Sequence, residues 1–121
     1  MKWLIAGSRS FTDYDRLKSI LGKEPKPDKI IHGGAKGADS LGGQYAKENN
    51  IPCQVVKPDW NNYGKKAGYI RNIEMADMLT KDDKAFIFWD GESRGTKMML
   101  KLLQYKEIPF KLIYINSFNF D

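Results

Sequence analysis

The feature that most restricts this chain is a regular alternation of short apolar runs with stretches of helical periodicity. Residues 2–6, 29–32, 52–57, 84–89 and 110–115 have the length and composition of buried strands. Between the first two, Thr12 or Asp13 can cap a helix whose apolar face is Tyr14, Leu17 and Leu21, ended by Gly22 and Pro25-Lys26-Pro27. A second helix carries Ala38, Leu41, Gly42, Tyr45 and Ala46 at i, i+3, i+4, i+7 and i+8, and Asn49-Asn50 closes it. A polar connector at 59–63 leads into a helix over about 65–79, with Ala67, Ile70, Ile73 and Ala76 along one side. The last helix covers 96–106 and turns Met99, Leu102 and Leu103 inward. Five strands alternating with four helices predict a doubly wound α/β domain with helices on both faces of a mainly parallel sheet. The run 84–89 is the most continuously apolar and is expected at a central position. Residues 116–121 read as a tail.

Composition agrees with one such domain. A chain of 121 residues that is 41% hydrophobic can bury a real core, which argues against a solenoid, a two-domain chain and a disordered one. The longest apolar runs are about five residues, against roughly 20 for a membrane span. The apolar stretch before Gly7 is too short for a secretory leader, so a cytoplasmic protein with no membrane association is expected. Cys53 is the sole cysteine, which removes an internal disulfide and a thiolate metal site; it reads as a small buried hydrophobe. No metal or cofactor is expected. The net charge of +5 comes from lysines spread along the chain, often beside acids as in Lys23-Glu24 and Lys47-Glu48. It fits a solvated surface or attraction for an anionic ligand, nucleotide or nucleic acid.

Function concentrates where the strands end. In doubly wound sheets ligands bind beyond the carboxyl ends of the strands, where strand order reverses. The first strand ends in Gly7-Ser8-Arg9-Ser10 and the second in Gly33-Gly34-Ala35-Lys36-Gly37-Ala38-Asp39. Asp59-Trp60 follows the third, and Asp90-Gly91-Glu92-Ser93-Arg94-Gly95-Thr96 the fourth. All four emerge on one edge. Glycines let the backbone approach a ligand, and the helix starts behind them offer unpaired N–H groups, so the edge is suited to phosphate. The chain has no G-x-x-x-x-G-K-[ST] segment, which argues against a P-loop NTPase. Its G-G-A-K-G loop on the second strand is not the G-x-G-x-x-G of nicotinamide dehydrogenases.

Gly7-Ser8-Arg9 with Phe11, His32 through Asp39, Asp59-Trp60, Gly64 through Gly68, Arg71-Asn72 with Met75, Phe88 through Gly91 and Ser93 through Thr96 together resemble the YspA-type, cpYpsA-related branch of the SLOG superfamily. The resemblance spans nearly the whole chain with motif order kept. It implies a Rossmann-like fold, kinship with the LOG (lonely guy) enzymes and the DNA-processing protein A, and binding of nucleotides or nucleotide-derived molecules in signalling or biological conflict. LOG enzymes cleave the glycosidic bond of a nucleoside monophosphate with a G-G-x-G-T-x-x-E segment. Gly95-Thr96 matches its phosphate-binding part, but Met99 stands where its catalytic glutamate would be. Arg71 resembles the arginine that family places near the phosphate or the sugar.

The expected ligand site is therefore Gly7, Ser8, Arg9, Gly33, Gly34, Ala35, Gly37, Asp39, Asp59, Trp60, Arg71, Asn72, Asp90, Ser93, Gly95 and Thr96. Arg9 and Arg71 are the phosphate candidates, since a guanidinium meets phosphate in bidentate geometry. Trp60 can stack on a base, whereas Trp89 reads as packing and His32 as a satisfied core histidine. Asp39 and Asp90 are the carboxylates left for catalysis, each with a second reading, as a helix-start partner and as a turn residue. Three functions follow: a sensor or sequestering protein for a nucleotide-derived ligand, a nucleotide N-glycosidase, or a single-stranded DNA-binding protein. A homodimer is a further expectation.

Overall fold

The computed structural model describes residues 1–115; the expected tail at 116–121 lies outside the described residues. Five strands, β1 (Lys2–Gly7), β2 (Lys29–His32), β3 (Cys53–Val55), β4 (Lys84–Trp89) and β5 (Phe110–Tyr114), form one sheet in the order β3-β2-β1-β4-β5. Every pairing is parallel. The helices are α1 (Tyr14–Leu21), α2 (Ala38–Glu48), α3 (Trp60–Tyr63), α4 (Ala67–Asp77) and α5 (Arg94–Tyr105). This is a Rossmann-like α/β fold.

Alternation along β1 divides the core into two layers. Trp3 and Ile5 pack with Phe86, Phe88 and the buried faces of α1 and α2, including Leu17, Leu21 and Ala46. Leu4 and Ala6 face the other way, onto Met75 and Ala76 of α4 and Met99 and Leu103 of α5. Each strand side chain thus meets one helical layer or the other, as period two requires. Gly42 lets α2 lie close on β1: a Cβ there would stand 2.7 Å from Ile5 Cγ2. β4 lies inside the sheet between β1 and β5, while β1 holds the middle position.

Several local expectations change. The third strand is shorter than 52–57, and Cys53 on this edge strand is exposed, not buried. The connector at 59–63 contains a helical turn, α3, whose start is capped by Asp59 accepting from the Asn62 amide at 3.2 Å. A 3₁₀ turn at Gly64–Lys66 then precedes α4. The buried residues of α4 are Ala67, Asn72, Met75 and Ala76, and Ile73 is 42% exposed. Pure i+3 steps drift by about 60° each around a helix of 3.6 residues per turn, so the chain Ala67-Ile70-Ile73-Ala76 cannot stay on one face. α5 starts at Arg94, two residues early, and buries Leu100 more fully than Leu102.

Candidate functional site

Strand order reverses between β1 and β4: the chain moves outward from β1 through β2 to β3, then returns to β4 on the other side. The ends of β1 and β4 therefore separate around a crevice, as the switch-point rule requires. A cavity of about 420 Å³ occupies that crevice. Gly7, Ser8 and Arg9 line it from β1, Ala35 and Asp39 from the loop and helix after β2, Arg71 and Asn72 from α4, and Asp90, Ser93, Gly95 and Thr96 from the turn into α5.

Ser8 joins the pieces. Its amide donates to Phe88 O at 2.8 Å, its carbonyl accepts from the Phe11 and Ala38 amides, and its hydroxyl bonds Ser93 Oγ and the Asp90 amide, each at 3.0 Å. Gly7 permits this closeness: its φ is +156°, and a Cβ there would fall 2.1 Å from Phe88 O. Asp90 accepts the Glu92 and Ser93 amides at 2.8 Å and the Ser93 hydroxyl, and these bonds hold its carboxyl below the usual range. Asp90 is thus an ionised organiser of the β4–α5 turn.

That turn leaves a donor site open. The Ser93 hydroxyl is committed to Asp90 and Ser8, so it places no side-chain cap on α5. Among the described residues the amides of Arg94, Gly95 and Thr96 have no partner. All three residues line the cavity, so the positive end of a 12-residue helix faces it. The glycine loop after β2 behaves differently. Its Gly33 and Ala35 amides bond Asp39 Oδ2 at 2.9 and 3.3 Å, and the Gly34 amide bonds His32 Nδ1 at 3.0 Å. These three donors are spent inside the protein.

Asp39 is the most perturbed carboxyl here, at 4% exposure. Burial pushes its pKa up to about 6, against the opposing pull of the Ala35 and Gly33 amides and of the Arg71 and Arg9 charges. Oδ2 takes both amides; no buried side-chain oxygen among the described residues lacks a partner, so Oδ1 reaches the cavity that Asp39 lines. Arg71 is fixed by bonds from Nε to Asn72 Oδ1 at 3.0 Å and from its guanidinium to Gly33 O. A Cβ on Gly33 would stand 2.4 Å from Arg71 Nη1, so this glycine makes room for the arginine. Asn72 in turn donates to Gly95 O at 3.1 Å, joining α4 to the start of α5. His32 is buried and held neutral by burial and by the charge of Arg71, as expected of a satisfied core histidine.

Two expected residues line neither the crevice nor the hollow beside it. Gly37 lines neither this cavity nor the hollow beside it; with φ +80° and its Cβ position 2.3 Å from Ser8 O, it serves the tight entry into α2. Asp59 caps α3 instead. Gly33, Gly34 and Trp60 line the adjoining hollow, not the crevice itself. Trp89 is half-buried and donates from Nε1 to Ser93 O at 3.1 Å, bracing the turn. Residues that sequence reasoning missed are Ser10 and Arg94 in the cavity and Lys36 and Lys57 in the hollow. Arg94 and Lys36 lay inside the motifs already singled out; Lys57 carried no local signal. Among the described residues no three His, Cys, Asp or Glu side chains gather to hold a metal ion, and no helix is long and apolar enough to cross a membrane.

Comparison with known proteins agrees with this architecture. The model of the YspA, cpYpsA-related SLOG family matches residues 1–63, which include β1, β2 and the glycine loop. The Gene 61 protein of Mycobacterium phage D29 is 35% identical over 115 residues, covering 88% of this chain and 90% of that protein. No solved structure matches. The family match takes in over half the chain, and the phage relative spans nearly all of it: the chain belongs to the YspA, cpYpsA-related SLOG family.

Proposed function

We propose that the protein binds a phosphate-bearing, nucleotide-derived ligand in the crevice between β1 and β4, as a sensor or sequestering protein. Membership of the SLOG family suggests a nucleotide-related function. One observation carries the finer reading: Arg9 and Arg71 converge with the three unpaired amides of α5 on a single cavity. Guanidinium groups and an uncapped helix start are complementary to phosphate in both charge and donor geometry. Met99, 1% exposed in the cavity wall, is a thioether where the resembling glycosidases carry glutamate, which supports capture over turnover.

The test is a panel of mononucleotides, dinucleotides and ADP-ribose derivatives, followed by melting temperature and then by chromatography of the same mixtures. A ligand at 100 times its Kd stabilises by about 2.7 kcal/mol, or roughly 10 °C here. The expected result is such a shift with the ligand recovered intact, weakened about tenfold or more in Arg9→Met, because a charge-assisted bond is lost. No shift from any member at millimolar concentration overturns the reading. Asp39, with its raised pKa and an oxygen open to the cavity, favours a second reading as an N-glycosidase. A free base or sugar phosphate, lost in Asp39→Asn, identifies that reading instead.

A further inference from the structure

The crevice does not end at its arginines. A second hollow of about 640 Å³ lies against it, and Arg9, Ala35 and Arg71 line both. Lys36 reaches the second hollow from the loop after β2, Lys57 from the end of β3 and Trp60 from α3. Four cationic side chains line it and no acidic one does. Gly34, at φ +75°, lies in its wall, packed so that a Cβ there would meet Val55 Cγ1 at 3.1 Å and Lys57 Cγ at 3.4 Å. Trp60 is 54% exposed, and its Cη2 lies 3.9 Å from the Cβ position of Gly68, so α4 supports the indole. An aromatic plane beside cationic side chains is what a base and its phosphate require.

Resting on the nucleotide-binding reading above, we infer that the site is bipartite and that its ligand is a small dinucleotide. One nucleoside phosphate occupies the crevice at the start of α5. The phosphate that joins the two halves lies at Arg9 and Arg71, the residues common to both spaces, and the second base stacks on Trp60 with Lys36 and Lys57 around it. Each space alone falls in the roughly 300–1,000 Å³ range of small-molecule sites, so a mononucleotide leaves one of them empty.

Calorimetric titration of the whole protein with AMP, GMP, CMP and UMP, and with the 5′-phosphorylated linear dinucleotides pApA, pGpG, pCpC and pUpU, tests this. At least one dinucleotide is expected to bind about tenfold or more tightly than its mononucleotide, the size of one base–aromatic stack. In Trp60→Ala that dinucleotide falls to the affinity of the mononucleotide. Trp60 is outside the core, so an unchanged melting temperature shows the variant is folded. Equal affinities of every pair in the wild type, or an undiminished dinucleotide advantage in Trp60→Ala, overturn the bipartite site and leave single-nucleotide binding standing. Absence of binding by all eight, together with the silent panel above, overturns the nucleotide reading itself. A 12-nucleotide single strand that binds well above every dinucleotide overturns the small ligand in favour of nucleic acid.

Discussion

Asp39 is held on one oxygen by two backbone amides and faced by two arginines, yet its burial still wins, and its pKa rises to about 6. The unfolded chain ionises it near the ordinary carboxylate value, so the folded protein binds its proton more tightly. Stability from this residue is therefore present below about pH 4 and is lost as pH rises through about 6. A displacement of about two pKa units corresponds to roughly 3 kcal/mol. Asp39→Asn keeps the shape and an acceptor for both amides, so we expect it to raise stability by about 1–3 kcal/mol at pH 8 and by nothing at pH 4. Urea titrations of both proteins at the two pH values check this, and a gain equal at both would sink it. Asp90 is the opposite case. Its carboxyl is held low by the amides it accepts, and it has the role of a turn organiser. The sequence located both carboxylates at strand ends and left two readings for each. Their opposite pKa directions depend on burial and on amides from neighbouring loops, and neither is encoded at the residue itself.

At the scale of the element, α4 shows how far periodicity can be trusted. Its apolar residues are spaced so that two faces are both plausible, and only its packing against β1, β4 and α5 selects one. Asn72 is buried because it ties Arg71 to the start of α5, a polar role that a hydrophobic template passes over. The consequence is measurable. Ile73→Gln should alter stability by less than about 0.5 kcal/mol, as for other exposed positions. Met75→Ala, at 1% exposure, should cost about 2–5 kcal/mol. Equal losses in chemical denaturation of the two variants would contradict the observed face of α4. The glycine loop after β2 gives a related lesson: its composition is that of a phosphate cradle, but its Gly33, Gly34 and Ala35 amides turn toward Asp39 and His32, while the first three amides of α5 stay unpaired.

Across the whole molecule, the two core layers share the strands of one sheet, with Trp3 and Leu4 adjacent in β1 but in different layers. Neither layer can dissolve without the other, so we expect a single cooperative transition in urea, with a slope of about 1–3 kcal/mol per molar. Far-ultraviolet circular dichroism and tryptophan fluorescence should trace coincident curves; separate midpoints would show that the layers are independent. The basic surface is laced with ion pairs such as Lys84–Glu24 and Lys106–Asp77, and four cationic side chains line the second hollow. The sequence by itself determined the α/β class, the succession of strands and helices, and the edge that carries the strand-end loops, because these depend on local period and on residues that stop it. Only the tertiary structure decided the order β3-β2-β1-β4-β5, hence the crevice between β1 and β4. It also decided that Gly37 and Asp59 stay out of the cavity while Lys57 and Arg94 enter the site. Strand order and loop convergence come from contacts between residues distant along the chain, such as Ser8 with Ser93 and Arg71 with Gly33. No local pattern records them.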